Sequence, residues 1–342
     1  MKYLFLLFFS FVLMPLSTVR GQVPSDPAVP EKDTTSLKGF LKRGSLTGLA
    51  RTYFAATLNQ KELADSYAWA AGAGVGYQTP VFLRRFQAGI SGFFILKLAS
   101  SDLALPEPTT GQLNRYELGL FDIDNPGNSR NLSRLEELFL KVNLGKKSLL
   151  TVGRQIPQTP FINPQDGRMR PTLTEAAVLD WKENKYLALH AEYIWRMSPR
   201  STVHWYDVGD TFGLYPAGVD LSGKPAQYRQ QVHTKGIGIV GLTYQKKQWN
   251  VQVWDTYVDN VLNTLLLKTE WKSNPVAHKN WLAGMQLIRQ QGIGNGGNPD
   301  PAKAYTSAGS TAMVLSARLG RQSPAFDWFL NATRITAEGR FL

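Results

Sequence analysis

Between residues 151 and 171 the chain reads Thr151-Val152-Gly153-Arg154-Gln155-Ile156-Pro157-Gln158-Thr159-Pro160 and then Asp166-Gly167-Arg168-Met169-Arg170-Pro171. Guanidinium groups fork onto carboxylates, and an aspartate among them can hold a cationic group, so the chemistry on offer is recognition of charged solutes. Bond-making chemistry is not written here. No G-x-S-x-G or H-E-x-x-H run occurs, and His190, His204, His233 and His278 lack metal-ligand spacing, so neither a metal nor a cofactor is expected. His190 with Glu192, two residues on, could orient a base, which keeps a lipase-like barrel enzyme as an alternative. Two glycine runs, Gly236 to Gly241 and Gly292 to Gly297, satisfy G-x-G-x-x-G. The first continues as an alternating strand and the second runs into Asn298-Pro299-Asp300-Pro301, so neither opens the helix a phosphate needs.

The elements that must carry these residues are strands. Leu138, Leu140, Val142 and Leu144 share one face of a segment whose other face holds Glu137, Lys141, Asn143 and Phe139. From Ser45 onward thirteen such segments follow: 45–57, 66–77, 82–97, 135–144, 148–155, 172–182, 186–198, 236–245, 248–258, 261–272, 280–289, 304–318 and 326–338. Their connections alternate, longer at 58–65, 98–134, 156–171, 199–235 and 290–303, shorter between them; only Asp259-Asn260 is short where a long loop is due. Short turns at one rim and long loops at the other are how a transmembrane antiparallel β-barrel is written. Aromatics near strand ends, among them Tyr67, Tyr77, Trp195, Trp249 and Trp281, suit girdles at two membrane interfaces. By strand parity Arg51, Lys141, His190 and Arg196 face the lumen. Arg154 shares the parity of Leu150 and Val152, which face lipid, so it must sit at the rim unless a bulge re-aims it.

The start of the chain gives the address. Lys2 precedes an apolar run from Tyr3 to Leu16, and a cleavage point follows at Val19-Arg20-Gly21, so residues 1–21 read as a signal peptide. Residues 22–43 read as a periplasmic leader and 44–342 as the barrel. No later run is apolar for the ~20 residues a helical span needs. The formal charge is +12, and +10 once residues 1–21 are set aside; export and the dispersal of Lys and Arg argue against nucleic acid, whereas lipopolysaccharide or an anionic solute fits. Cysteine is absent, so stability must come from burial and strand closure.

With its turn pattern, the 150–171 segment resembles the OprD family of outer-membrane porins, in which a similar Gly and Gln pattern leads into a third external loop bearing Asp-x-Arg-x-x-Pro. Here the segment is also the third long connection. The resemblance implies a monomeric, roughly eighteen-stranded barrel, a constriction built by the inward-folded loop, and a ladder of lumen-facing basic residues guiding carboxylates. Asp166 and Arg168 match the loop motif and Pro171 ends it; Arg170 stands where an aliphatic residue is more usual. Thirteen is odd, so the chain is expected to be C-terminally truncated, lacking its closing strands.

The expectation is therefore an all-β outer-membrane porin, not an enzyme, passing small anionic or zwitterionic solutes such as amino acids, organic acids and peptides. Its constriction residues would be Asp166, Arg168 and Arg170, its lumen ladder Arg51, Lys141, His190 and Arg196, and its rim residue Arg154. The alternatives are the barrel enzyme and a soluble periplasmic β-sandwich binding protein.

Overall fold

The computed structural model describes residues 36–60, 63–145, 147–182, 184–215, 218–220, 223–274, 280–336 and 341. The signal peptide, the leader up to residue 35, and His278 lie outside the described residues. A short helix, α1 (Leu37–Lys42), opens the described chain, its first turn capped by Ser36 Oγ accepting from Gly39 N at 3.1 Å. Tyr77 Oη donates to Leu41 O at 2.9 Å and ties this helix to the short-turn rim.

Fourteen strands follow: β1 (Ser45–Thr57), β2 (Ser66–Gln78), β3 (Phe86–Ser100), β4 (Ser133–Asn143), β5 (Leu149–Gln155), β6 (Leu173–Lys182), β7 (Leu187–Ser198), β8 (Tyr206–Asp207), β9 (Ile237–Lys246), β10 (Trp249–Val258), β11 (Leu262–Lys272), β12 (Asn280–Gly292), β13 (Thr311–Gln322) and β14 (Trp328–Ile335). They form one sheet in chain order, every neighbour antiparallel, with the two-residue β8 pairing β7 beside the main path. One sheet of sequential hairpins is not a two-layer sandwich, so the sandwich alternative falls. The thirteen expected strands are the thirteen of the main path. The clearest misplacement is the segment expected at 304–318, which begins its strand only at Thr311. Residues 304 and 305 instead belong to the preceding loop, where Tyr305 N donates to Gly296 O at 2.8 Å and its ring meets Phe212 edge-on at 4.6 Å.

The sheet curls around its third long loop. Arg51 of β1 pairs with Asp166 of that loop, while Phe161 of the same loop packs on Leu266, Ile288 and Val314 of β11, β12 and β13. One loop touches strands at both ends of the sheet, so it lies on the concave face. The convex face is apolar: Leu138, Val240, Leu265, Met285 and Leu315 stand exposed along it. Water would penalise such a surface over its whole extent, whereas hydrocarbon accepts it. At the short-turn rim Trp249 lies across from Trp271, and Trp281 meets Trp328 edge-on at 5.7 Å; Tyr67, Trp69, Tyr193 and Tyr257 mark the other rim.

Inside, small residues make room for large ones. On β2, Gly72 and Gly74 lie under the ring of Phe93, and a Cβ at either would meet it within 2.7 Å. Phe139, the one apolar member of the polar face of β4, packs on Gly89 in the same way and is 6 % exposed. The short external turn at Asp259-Asn260 is covered by its neighbours: Asn260 Nδ2 donates to His233 O, and Asn260 O accepts from Gly297 N at 2.8 Å. That turn needs no length because two long loops close over it.

Candidate functional site

The third long loop, residues 156–172, is stitched before it reaches the lumen. Thr159 Oγ1 donates to Ile162 O at 2.7 Å, and Thr172 N donates to Pro164 O at 2.7 Å, drawing the two ends of the turn together. The tip, Asp166-Gly167-Arg168, is then clasped by β1. Arg51 forks onto the Asp166 carboxylate, Nη2 to Oδ2 at 2.7 Å, and donates from Nη1 to Arg168 O at 3.1 Å. Arg51 is thus an anchor of the loop whose charge is met by Asp166.

Arg168 is half-buried, its guanidinium 5.9 Å from the Tyr116 ring and against Gly119, which ends the short helix α2 (Arg115–Leu118) in the second long loop. Arg170 does something else. It is 1 % exposed and donates to Leu132 O and to Thr202 O, so it faces loop backbone instead of solute. Burial first, and then the neighbouring Arg134 guanidinium, push its pKa down to about 9, which leaves it charged at neutral pH. Arg134 is equally buried and reaches Ser198 Oγ at 2.8 Å, Pro171 O at 2.8 Å and Glu136 at 2.9 Å. These two arginines bind the second, third and fourth long loops into one body. The sequence offered Arg170 as a constriction residue and noted it as a departure from the aliphatic residue expected there; the structure instead buries it on loop carbonyls, and the sequence gave no sign of Arg134.

Lower on the concave face a recess of about 470 Å³ opens between β4, β7 and β10. Lys141 lies in its wall, Nζ 4.6 Å from the Phe139 ring, with no ion-pair partner among the described residues. His190 is clamped: Nδ1 is 2.8 Å from Asp180 Oδ1, and Nε2 is 3.3 Å from Glu192 Oε2. A neutral imidazole has one N–H, so only the doubly protonated ring donates to both carboxylates. The Trp254 ring completes the group, 5.4 Å from His190.

Arg196 leaves the lumen set. A register shift at Trp195 puts Arg196 opposite Glu175 while Ile194 stays opposite Ala176. Ile194, Ala176 and Met197 pack together on the concave side, so the extra residue turns Arg196 outward. There it meets Asp207 at 3.3 Å, while Arg154 meets Glu175 at 3.1 Å with the Trp205 ring over its guanidinium. Arg154 therefore sits on the convex side at the long-loop rim, and the bulge that sequence parity allowed for acts on Arg196.

A curled antiparallel sheet with an apolar outer wall, two aromatic rims and an inward-clasped loop defines a transmembrane β-barrel channel. The family model for outer membrane porins of the OprD family matches residues 38–316, and the chain belongs to that family. Among solved structures it is similar to Pseudomonas aeruginosa OpdK with vanillate, at 17 % identity and TM-score 0.62, covering 87 % of this chain and 68 % of that one. It is also similar to a BenF-like porin from Pseudomonas fluorescens Pf-5, at 14 % identity and TM-score 0.63, covering 88 % and 69 %. A third is Pseudomonas aeruginosa OccK2 (OpdF) in complex with glucuronate, at 15 % identity and TM-score 0.60, covering 87 % and 66 %. Comparison with curated proteins finds no match. The chain is an outer-membrane porin, and porins are channels rather than enzymes; its long loops are the external ones.

Proposed function

We propose that this porin, exported by the signal peptide of residues 1–21 and embedded as a monomer in outer-membrane lipid and lipopolysaccharide, passes small carboxylate-bearing solutes. The observation that carries the reading is the state of its lumen cations. Arg51 is spent on Asp166, but Lys141 in the recess wall and Arg168 at the loop tip lack a carboxylate within ion-pair reach among the described residues. An unpaired cation in a narrow, low-dielectric passage attracts anions far more than one in bulk water. The path we assign runs past Arg168, then beneath the clasped loop to Lys141. Two similar porins hold carboxylates, vanillate and glucuronate, which supports the same class of solute here.

The test is reversal potential in planar bilayers under a benzoate gradient. The native channel should favour benzoate over sodium, and Lys141→Ala with Arg168→Ala should abolish that preference while the channel still conducts. A double variant with unchanged benzoate preference would remove the carboxylate reading and leave the porin intact.

A further inference from the structure

The same recess carries a feature that carboxylate attraction does not use. Trp254 lies directly across from Gly241, and a Cβ at Gly241 would fall 2.4 Å from its Cε3 and Cζ3 atoms. The indole therefore lies over bare backbone at Gly241, and it lines the recess. His190 stands across from the other side of Gly241, and Asp180 across from His190, so indole, imidazole and carboxylate form one row around the wall.

Glu192, one row further toward the external end, is 5 % exposed. Its Oε2 faces His190, and its Oε1 is buried with no hydrogen-bond partner among the described residues. A carboxylate oxygen in that position lacks a donor, and leaving it so is costly. The donor should be neutral. Glu137, Asp180 and Glu192 are balanced in the recess by Lys141, Lys182 and the doubly hydrogen-bonded His190, so a second cation has no surplus charge to answer.

A flat apolar platform beside carboxylates that need hydroxyl donors fits one class of molecule. We infer that the recess is a pyranose-binding subsite, in which a sugar ring stacks its C–H face on Trp254 and directs hydroxyls to Asp180 and Glu192, with Thr243 and Gln158 on the remaining sides. Aromatic stacking sets the plane of the ring, and the acidic pair sets its orientation. The assignment rests on the concave face being the solute path, and not on the carboxylate preference.

The experiment is single-channel recording of the full chain in planar bilayers with glucose as the probe. Glucose should interrupt the native current in a concentration-dependent manner. Trp254→Ala should weaken that block by about tenfold or more, Trp254→Phe by less, and Glu192→Gln by about fivefold, all with potassium chloride conductance within about twofold of native. Channels of normal conductance that ignore glucose would overturn the inference, as would block by arginine but not by glucose. Equal glucose block in the native and Trp254→Ala channels would also overturn it. Benzoate selectivity measured on the same channels reports separately on the carboxylate reading.

Discussion

Replacing Arg51 by alanine should release the tip of the third external loop by an amount that the contacts set. Arg51 makes a forked ion pair with Asp166 and a third bond to Arg168 O, with side chains 26 % and 36 % exposed. Exposure of that degree discounts the pair to about 1 kcal/mol, and the carbonyl bond adds about 1 kcal/mol, so Arg51→Ala costs the docked loop about 1–2 kcal/mol. Asp166→Asn keeps the carbonyl bond and should cost about half as much. A loss of 1.4 kcal/mol raises the undocked population about tenfold. Trypsin reads that population directly, because Arg168 sits at the tip and cleavage there follows the open fraction when opening is fast. Cleavage after Arg168 should quicken by about tenfold in Arg51→Ala and by about threefold in Asp166→Asn. The double variant should match Arg51→Ala alone, since the second change removes a group that has already lost its partner. Raising ionic strength to about 1 M should bring the native rate toward that of Asp166→Asn, because the pair is solvent-screened. Additive effects of the two substitutions would refute the reasoning, and so would a cleavage rate that Arg51→Ala leaves untouched.

Other perturbations follow from the same geometry. Arg170→Ala removes the donor from two buried carbonyls and should destabilise the external loop body by about 2–4 kcal/mol, measured as faster proteolysis of loops two to four while the barrel stays heat-modifiable on gels. Tyr206 is held above its ordinary pKa of 10 by burial and then by its hydrogen bond to Asp124, at 3.0 Å. The folded phenol keeps its proton after the unfolded one has lost it, so this contribution is intact below about pH 10 and fades as pH rises toward the folded value; Tyr206→Phe should flatten the alkaline fall in loop protection. Gly153 has φ +120° and a Cβ there would lie 2.2 Å from Leu138 O, so Gly153→Ala should cost more than about 2 kcal/mol in thermal unfolding, against near-neutrality at Gly48, where a Cβ meets nothing.

Strand positions were legible because each depends on its own residues and two neighbours. Leu138, Leu140 and Lys141 declare two faces whatever the rest of the chain does, and β4 lies where they put it. Face assignment is as local until a bulge intervenes. One extra residue at Trp195 reverses parity for everything beyond it, and nothing in Tyr193-Ile194-Trp195-Arg196 announces it, because both registers offer an aromatic to the rim. The loops were the least legible part. Arg51 and Asp166 are separated by 115 residues, and Arg134 and Ser198 by 64, so their pairing is decided by how the sheet curls.

That difference bears on what an arginine in a porin sequence means. Arg51, Arg134, Arg168 and Arg170 are chemically identical, yet the first clasps a loop, the second and fourth bind loop carbonyls in the dark, and the third lies half-buried beside the Tyr116 ring with no carboxylate partner among the described residues. What separates them is the supply of acceptors within reach. A buried guanidinium needs several acceptors, so it settles wherever loop ends leave carbonyls exposed to each other, as at Leu132, Pro171 and Thr202. Counting basic residues therefore overstates the lumen charge. The charge a solute meets is what remains after the loops have taken theirs, and on the reading proposed above that remainder is Arg168 and Lys141, beside the platform inferred at Trp254.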